Sequence, residues 1–369
     1  MRTALTASRE ISPVELSQLL HTPTGETMLQ FTGQLIRTRT NQNGAVAIRG
    51  ALVLAANQPE GLSLLSFLKA FPTRELRFDL GLAVAQFRRA TRTIEDVDAF
   101  LARIQQISEQ EAAGAAFDFA SLPNIRERGP YGVYSRTLIL EDTRRQRSYP
   151  ANIYSPEDLD QIEGEIPVIV LSHGLGSSRV FFSDFAEHIA SYGFVVALPE
   201  HIGSNQEQQE AVKRWLANEL FKADEFFDRP QDISFLLDEL ERLNESEFQG
   251  RLNTNQVGVM GHSFGGYSAL ALAGATIDFA LVRRLCRLDT DVDVGLVLLL
   301  TCRSLELESS PEANQLLTSG ELQDDRVSLV IAFNPVSFLF GESGMSRIQV
   351  PVVMVGGTDD IATPILREQ

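Results

Sequence analysis

Residues 256–273 read QVGVMGHSFGGYSALALA. Gln256–Met260 has the short apolar character of a buried strand, and Tyr267–Ala275 that of a helix. Between them stands a G-x-S-x-G pentapeptide running from Gly261 to Gly265. With Gly and Ser each near 7% of residues, such a pentapeptide arises by chance in about one chain in ten of this length, so the setting carries its meaning. Strand, sharp turn and helix together make a nucleophile elbow, in which a strained turn presents a serine hydroxyl. Glycines two residues to either side allow strand and helix to approach closely. Ser263 is therefore the expected nucleophile, with Gly261 and Gly265 as the elbow glycines. The alternative is an ordinary glycine-rich turn.

A serine nucleophile needs donors for the oxyanion it creates. Ser172-His173-Gly174-Leu175-Gly176 follows the apolar run Ile166–Leu171, where the second half of such a hole is built. The expected donors are the backbone N–H groups of Leu175 and Phe264, with Gly174 and Gly176 shaping the turn. One such donor is worth about 2.7–4 kcal/mol. His173 is then structural. A metal-ligand role would need partners, and the chain contains no H-x-x-x-H or H-x-x-E-H pairing. No metal or organic cofactor is expected.

Further out, strands are expected at Ser135–Glu141, Arg147–Tyr154, Ile166–Leu171, Phe194–Leu198, Val327–Phe333 and Val350–Val355. Helices are expected at Phe181–Tyr192 and Ile233–Leu243, the latter with Asp232 near its start. This alternation predicts an α/β fold with a mostly parallel, doubly wound sheet. Two stretches, 204–228 and 276–326, interrupt the rhythm as lid-like insertions. The first carries Trp215, Phe221, Phe226 and Phe227; these either supply an acyl pocket or form a buried aromatic seam. Upstream, apolar residues recur at helical spacing, with Ser12-Pro13 and Thr22-Pro23 as helix starts and Asn43-Gly44 as a turn. Residues 1–120 thus read as an all-helical domain, either a packed bundle or a cap or membrane-surface contact, and 121–369 as the α/β domain.

The run Leu171–Asn205 (LSHGLGSSRVFFSDFAEHIASYGFVVALPEHIGSN), together with Gly261–Ala269 (GHSFGGYSA), resembles the platelet-activating-factor acetylhydrolase branch of the α/β-hydrolases, a group of serine esterases and lipases related to dienelactone hydrolase. The resemblance covers about residues 130–369. It implies an α/β-hydrolase fold with Ser263 as nucleophile and Leu175 and Phe264 as oxyanion donors. Pro59–Thr73 (PEGLSLLSFLKAFPT) is similar to an N-terminal helical domain of unknown function fused to bacterial members. A D-x-x-x-P turn after Val350–Gly357 resembles the acid-bearing loop of many α/β-hydrolases, and its spacing to Pro364 selects Asp360, with Asp359 the alternative. The acetylhydrolases carry their acid one strand earlier, where this chain has Phe333-Asn334-Pro335, so the phospholipid substrate does not carry over.

The general base of such a triad follows the acid. The five histidines are His21, His173, His188, His201 and His262. His262 is expected to point away from Ser263, His188 to face solvent, and His201 to approach the site in the wrong chain order. The expectation is a C-terminally truncated chain whose catalytic histidine lies beyond Gln369.

Charge narrows the partners. Residues 1–120 hold 12 basic and 12 acidic side chains and residues 121–369 hold 20 and 37, so the formal charge of −17 belongs to the second part. That balance repels phosphate backbones and anionic headgroups, which excludes nucleic acid. The longest apolar run, Val294–Leu300, is too short for a transmembrane segment and the start MRTALTASRE lacks a signal peptide. As written the chain reads as cytoplasmic, or as periplasmic or secreted if an N-terminal segment is missing. Cys286 and Cys302 either form one bridge, in an oxidising compartment, or remain reduced. The expected activity is a serine carboxylic-ester hydrolase acting through an acyl-enzyme on an apolar acyl or aryl ester. Its rivals are an inactive hydrolase-fold scaffold and an acyltransferase.

Overall fold

The computed structural model describes residues 11–72, 75–114, 124–214, 216–287, 296–357 and 360. Two compact units divide the chain. The first comprises Met1–Asp96, Ala211–Leu220 and Leu285–Leu299, and the second Val97–Glu210, Phe221–Arg284 and Leu300–Gln369. The expected boundary at residue 120 lies outside the described residues.

In the first unit, helices α1 (Pro13–Leu20) and α2 (Pro23–Leu35) start where the Ser-Pro and Thr-Pro pairs predict, with Ser12 and Thr22 as N-caps and proline in the first turn. Strand β1 (Ile36–Thr38) follows, then α3 (Ala45–Ala56) and α4 (Leu64–Ala70), the last opened by a capping box between Ser63 and Ser66. Strand β2 (Leu76–Phe78) pairs antiparallel with β1. The expectation of an all-helical region is corrected by this small ladder, whose Ile, Thr and Phe favour extended backbone. Leu16, Leu20, Leu29, Ile48, Ala51, Ala55 and Phe67 are buried together as its core. A 35-residue helix, α5 (Leu80–Gly114), comes next in the chain.

The second unit is built on a seven-stranded sheet. Strands β3 (Val133–Asp142) and β4 (Arg147–Pro156) form an antiparallel hairpin. After them come β5 (Ile166–Ser172), helix α6 (Ser183–Ala190), β6 (Val195–Pro199), helix α7 (Glu225–Glu247), β7 (Leu252–His262), helix α8 (Phe264–Leu272), β8 (Val327–Phe333) and β9 (Val352–Val355). The order across the sheet is β3-β4-β6-β5-β7-β8-β9, parallel from β6 onward. Every residue of β6 is buried, as its unbroken apolar run requires of a strand covered on both faces.

Register aligns the carboxyl ends. Ser172 pairs with Gly261, His262 with Phe333, and Phe333 with Val355. The loops after β5, β7, β8 and β9 therefore leave the sheet at one edge, where doubly wound sheets place their ligand sites.

Helix α7 departs from expectation. It begins at Glu225, eight residues before the expected Ile233, and carries Pro230 in its interior. Proline lacks the N–H that would bond to the carbonyl four residues back. That carbonyl, Phe226 O, instead accepts the Tyr267 hydroxyl at 2.9 Å, so a tertiary contact restores the missing bond.

The 276–326 stretch is largely helical, with helices at Phe279–Leu285, Leu296–Arg303, Leu305–Glu308 and Pro311–Ser319. Neither Cys286 nor Cys302 is a free thiol. Among the described residues no helix is long and apolar enough to cross a membrane.

Candidate active site

Ser263 sits between the end of β7 and the start of α8, at φ 55° and ψ −116°. A side chain other than glycine adopts that conformation at a cost of about 1–3 kcal/mol, sustained by its surroundings. Those surroundings are backbone bonds: Ser263 N–H donates to Phe333 O at 2.9 Å, and its carbonyl accepts Val336 N–H at 3.1 Å. A Cβ at Gly261 would lie 2.1 Å from Gly265 O, so strand and helix meet with no room for a methyl group. Phe264 is the first residue of α8, one of the four whose N–H an α-helix leaves without an intrahelical acceptor.

The turn after β5 lies against this elbow. A Cβ on Gly174 would stand 3.3 Å from Ser263 Cβ and 3.1 Å from His262 Nδ1. Gly176, at φ 70°, donates its N–H to Ser204 O at 2.8 Å, and half-buried Leu175 lies between these two glycines.

Asp360 follows β9, and its carboxylate accepts the Asn334 side-chain amide. Asn334 occupies the end of β8, the position where the acetylhydrolase pattern has its acid. Of the histidines, His262 feels Asp360: burial holds its imidazole below the ordinary range and the carboxylate pulls the other way. Asp359, Pro364 and Trp215 lie outside the described residues.

Three histidines are engaged elsewhere. His188 Nε2 bonds to Ile125 O at 2.8 Å, so this ring is not simply solvent-facing. His173 is fully buried; its Nδ1–H donates to Gly174 O at 2.8 Å and its Nε2 accepts His201 N–H at 3.1 Å. These bonds assign one tautomer to His173. Burial, with Arg229 nearby, holds its ring far below the ordinary imidazole range, hence neutral. His201 is also fully buried, with Nε2 on Ser172 Oγ at 2.8 Å and Nδ1 on Asp232 Oδ2 at 3.2 Å. This Ser172–His201–Asp232 chain has the connectivity of a triad, yet none of the three residues reaches solvent.

Beneath the turn lies a charge cluster that sequence reasoning missed. Arg229, fully buried, donates from Nη1 to His173 O at 2.7 Å, from Nη2 towards Gly174 O at 3.5 Å and from Nε to Ser204 Oγ at 2.8 Å. Its guanidinium carbon is 4.5 Å from the centre of the Phe264 ring. Burial lowers its pKa to about 10, opposed by Glu225, Asp232 and Glu200. Ser204 donates to Glu225, while Arg145 and Arg147 each reach Asp232 Oδ at 2.9 Å. These charges lie scattered between positions 145 and 232, and only the fold gathers them.

Two rings of the 204–228 stretch are packed inward. Phe226 and Phe221 lie 5.1 and 5.6 Å from Phe264, centre to centre, and both are buried. Phe221 and Phe226 form an aromatic seam with Phe264.

A doubly wound sheet, a strained serine at a strand-to-helix turn and a second turn against it define the fold type. The chain has the α/β-hydrolase fold. Comparisons with known proteins agree with this. Residues 1–79 match a family described as "Alpha/beta hydrolase of unknown function (DUF1400)", and residues 145–219 match "Platelet-activating factor acetylhydrolase, isoform II". The chain is also similar to Chlorophyllase-1, chloroplastic, from Citrus unshiu, at 31% identity over 147 residues. That match takes in 38% of this chain and spans 39% of the relative's length.

Proposed function

We propose that this protein is a serine carboxylic-ester hydrolase in which Ser263 attacks the ester carbonyl. The observation that carries the reading is the strained Ser263 backbone at the β7–α8 junction, with the Gly174 turn against it. In this reading the N–H groups of Phe264 and Leu175 hold the tetrahedral oxyanion, the alcohol leaves, and water releases the acyl group from Ser263. In this reading Asp360, itself held by Asn334, is the acid of the triad. An apolar ester is favoured by the exposed Val180 and Phe181 beyond the oxyanion turn and by Phe182, whose ring is 6.3 Å from His262. The matched families and the relative carry hydrolase names that accord with this chemistry.

A fluorophosphonate probe and p-nitrophenyl esters test the reading together. Ser263 is expected to be labelled and the esters hydrolysed, with Ser263→Ala abolishing both and Asp360→Asn slowing turnover by about 10⁴-fold. Labelling that persists in Ser263→Ala removes the nucleophile assignment. A chain neither labelled nor active fits a hydrolase-fold scaffold, and ester formed on adding an alcohol marks an acyltransferase.

A further inference from the structure

We propose that Arg229 is a positioning residue that sets the separation and aim of the two oxyanion donors. The inference rests on the functional reading above and names a residue outside the reacting groups. The Gly174 carbonyl and the Leu175 N–H belong to one planar trans peptide and point in opposite directions. Whatever fixes the oxygen therefore aims the N–H. Gly174 O is drawn inward by His173 Nδ1 at 2.8 Å and faces Arg229 Nη2 at 3.5 Å, while Arg229 Nη1 holds the preceding carbonyl, His173 O, at 2.7 Å.

The same guanidinium reaches the second donor from the side. It lies over the Phe264 ring with 4.5 Å between guanidinium carbon and ring centre, and Phe264 supplies the other N–H. Phe226 and Phe221 hold that ring from other directions. One planar group thus touches both halves of the hole. The Arg229 geometry is fixed in turn by Ser204 Oγ at 2.8 Å from Nε and by Glu225 at 3.6 Å. A lysine could supply the charge but not a rigid fork that grips one residue pair while stacking on a ring.

The bland alternative is a buried ion pair that stabilises the fold and nothing else. The two separate on transition-state binding, because misplacing a catalytic group by about 1 Å costs about 10²-fold in rate. The test uses the full chain, Arg229→Lys, and Arg229→Met combined with Glu225→Gln, which leaves no uncompensated carboxylate. The readouts are kcat and KM on p-nitrophenyl acetate, inhibition by phenylboronic acid as a tetrahedral mimic, and amide hydrogen exchange at residues 173–176.

The expected result is a fall in kcat and in boronate affinity of about 10- to 100-fold, with KM nearly unchanged and faster exchange at 173–176. Unchanged kcat and boronate affinity in a variant that melts like the parent overturn the proposal, as does unchanged exchange. Ser263→Ala in the same assays separates the two levels. If it keeps full turnover, the nucleophile reading fails, and exchange in the Arg229 variants still decides whether the turn is clamped.

Discussion

The backbone of Gly265 meets the carbonyl of Ser172: a Cβ on Gly265 would lie 2.1 Å from Ser172 O and 2.9 Å from His173 O. Both obstacles are backbone, at the end of β5 and the start of the turn that follows it, so neither moves aside as a flexible side chain would. Gly265→Ala must push α8 away from β5. The expected loss is at least about 2 kcal/mol of stability, in the upper range for overpacking. Urea melts of the variant check it, and a midpoint within error of the parent would show that the sheet yields.

Ser263 illustrates the opposite sign. Its φ of 55° with ψ of −116° lies in a region that glycine enters freely. Ser263→Gly relieves about 1–3 kcal/mol of strain, offset by the roughly 0.5–1 kcal/mol of extra chain entropy that glycine loses on folding. A net gain of about 1 kcal/mol is expected together with complete loss of labelling. Ser263→Ala keeps the strain and should lose labelling without the gain; equal melting of the two variants would refute strain at this position.

Tyr267 bridges sequence and tertiary structure. Its hydroxyl satisfies the Phe226 carbonyl that Pro230 leaves without a partner, and its ring stacks on Phe340 at 5.1 Å with 5° between planes. Tyr267→Phe keeps the stack and removes only the donor, stranding a buried carbonyl at a cost of about 1–3 kcal/mol. A Pro230→Ala background restores a backbone N–H, so there the same substitution should cost far less. Equal losses in both backgrounds would separate the hydroxyl from the proline.

Legibility followed the range of the interactions. The elbow could be read because Gly261, Ser263 and Gly265 act on one another within five residues, and the strands around them are short apolar runs between turn residues. The Ser-Pro and Thr-Pro helix starts were local in the same way. The start of α7 was hidden because Pro230 reads locally as a helix stop, and the hydroxyl that overrules it comes from Tyr267, on another helix. Arg229 and its partners were hidden for the same reason. Arginines and carboxylates at 145, 147, 225, 228, 229 and 232 look like solvated charge until β4 and α7 bring them together. His201 was placed near the site by its strand, but the bonds that occupy both its nitrogens come from Ser172 and Asp232, about thirty residues away on either side.

Glu225 sets a pH dependence for folding. Burial, helped by the push of Asp232, raises its carboxyl from the ordinary 4.5 to about 7, against the pull of Arg229 and Arg147 and a bond from Ser204. Between about pH 4.5 and 7 the native state keeps this proton and the unfolded chain has released it, so the unfolded state binds fewer protons and stability falls as pH rises. Asp228 and Asp232, also raised by burial, act with the same sign. Asp142 and Asp324 are lowered by Arg145 and Arg326 despite their burial, and they add stability only as pH climbs through the acid range below 3.8. The urea midpoint should therefore peak near pH 4 and decline towards neutrality, by on the order of 3 kcal/mol if Glu225 acts alone. Glu225→Gln keeps the hydrogen-bonding shape without the titration and should flatten that decline. A Gln variant with the parent's slope would assign the effect to Asp228 and Asp232, which Asp228→Asn then distinguishes.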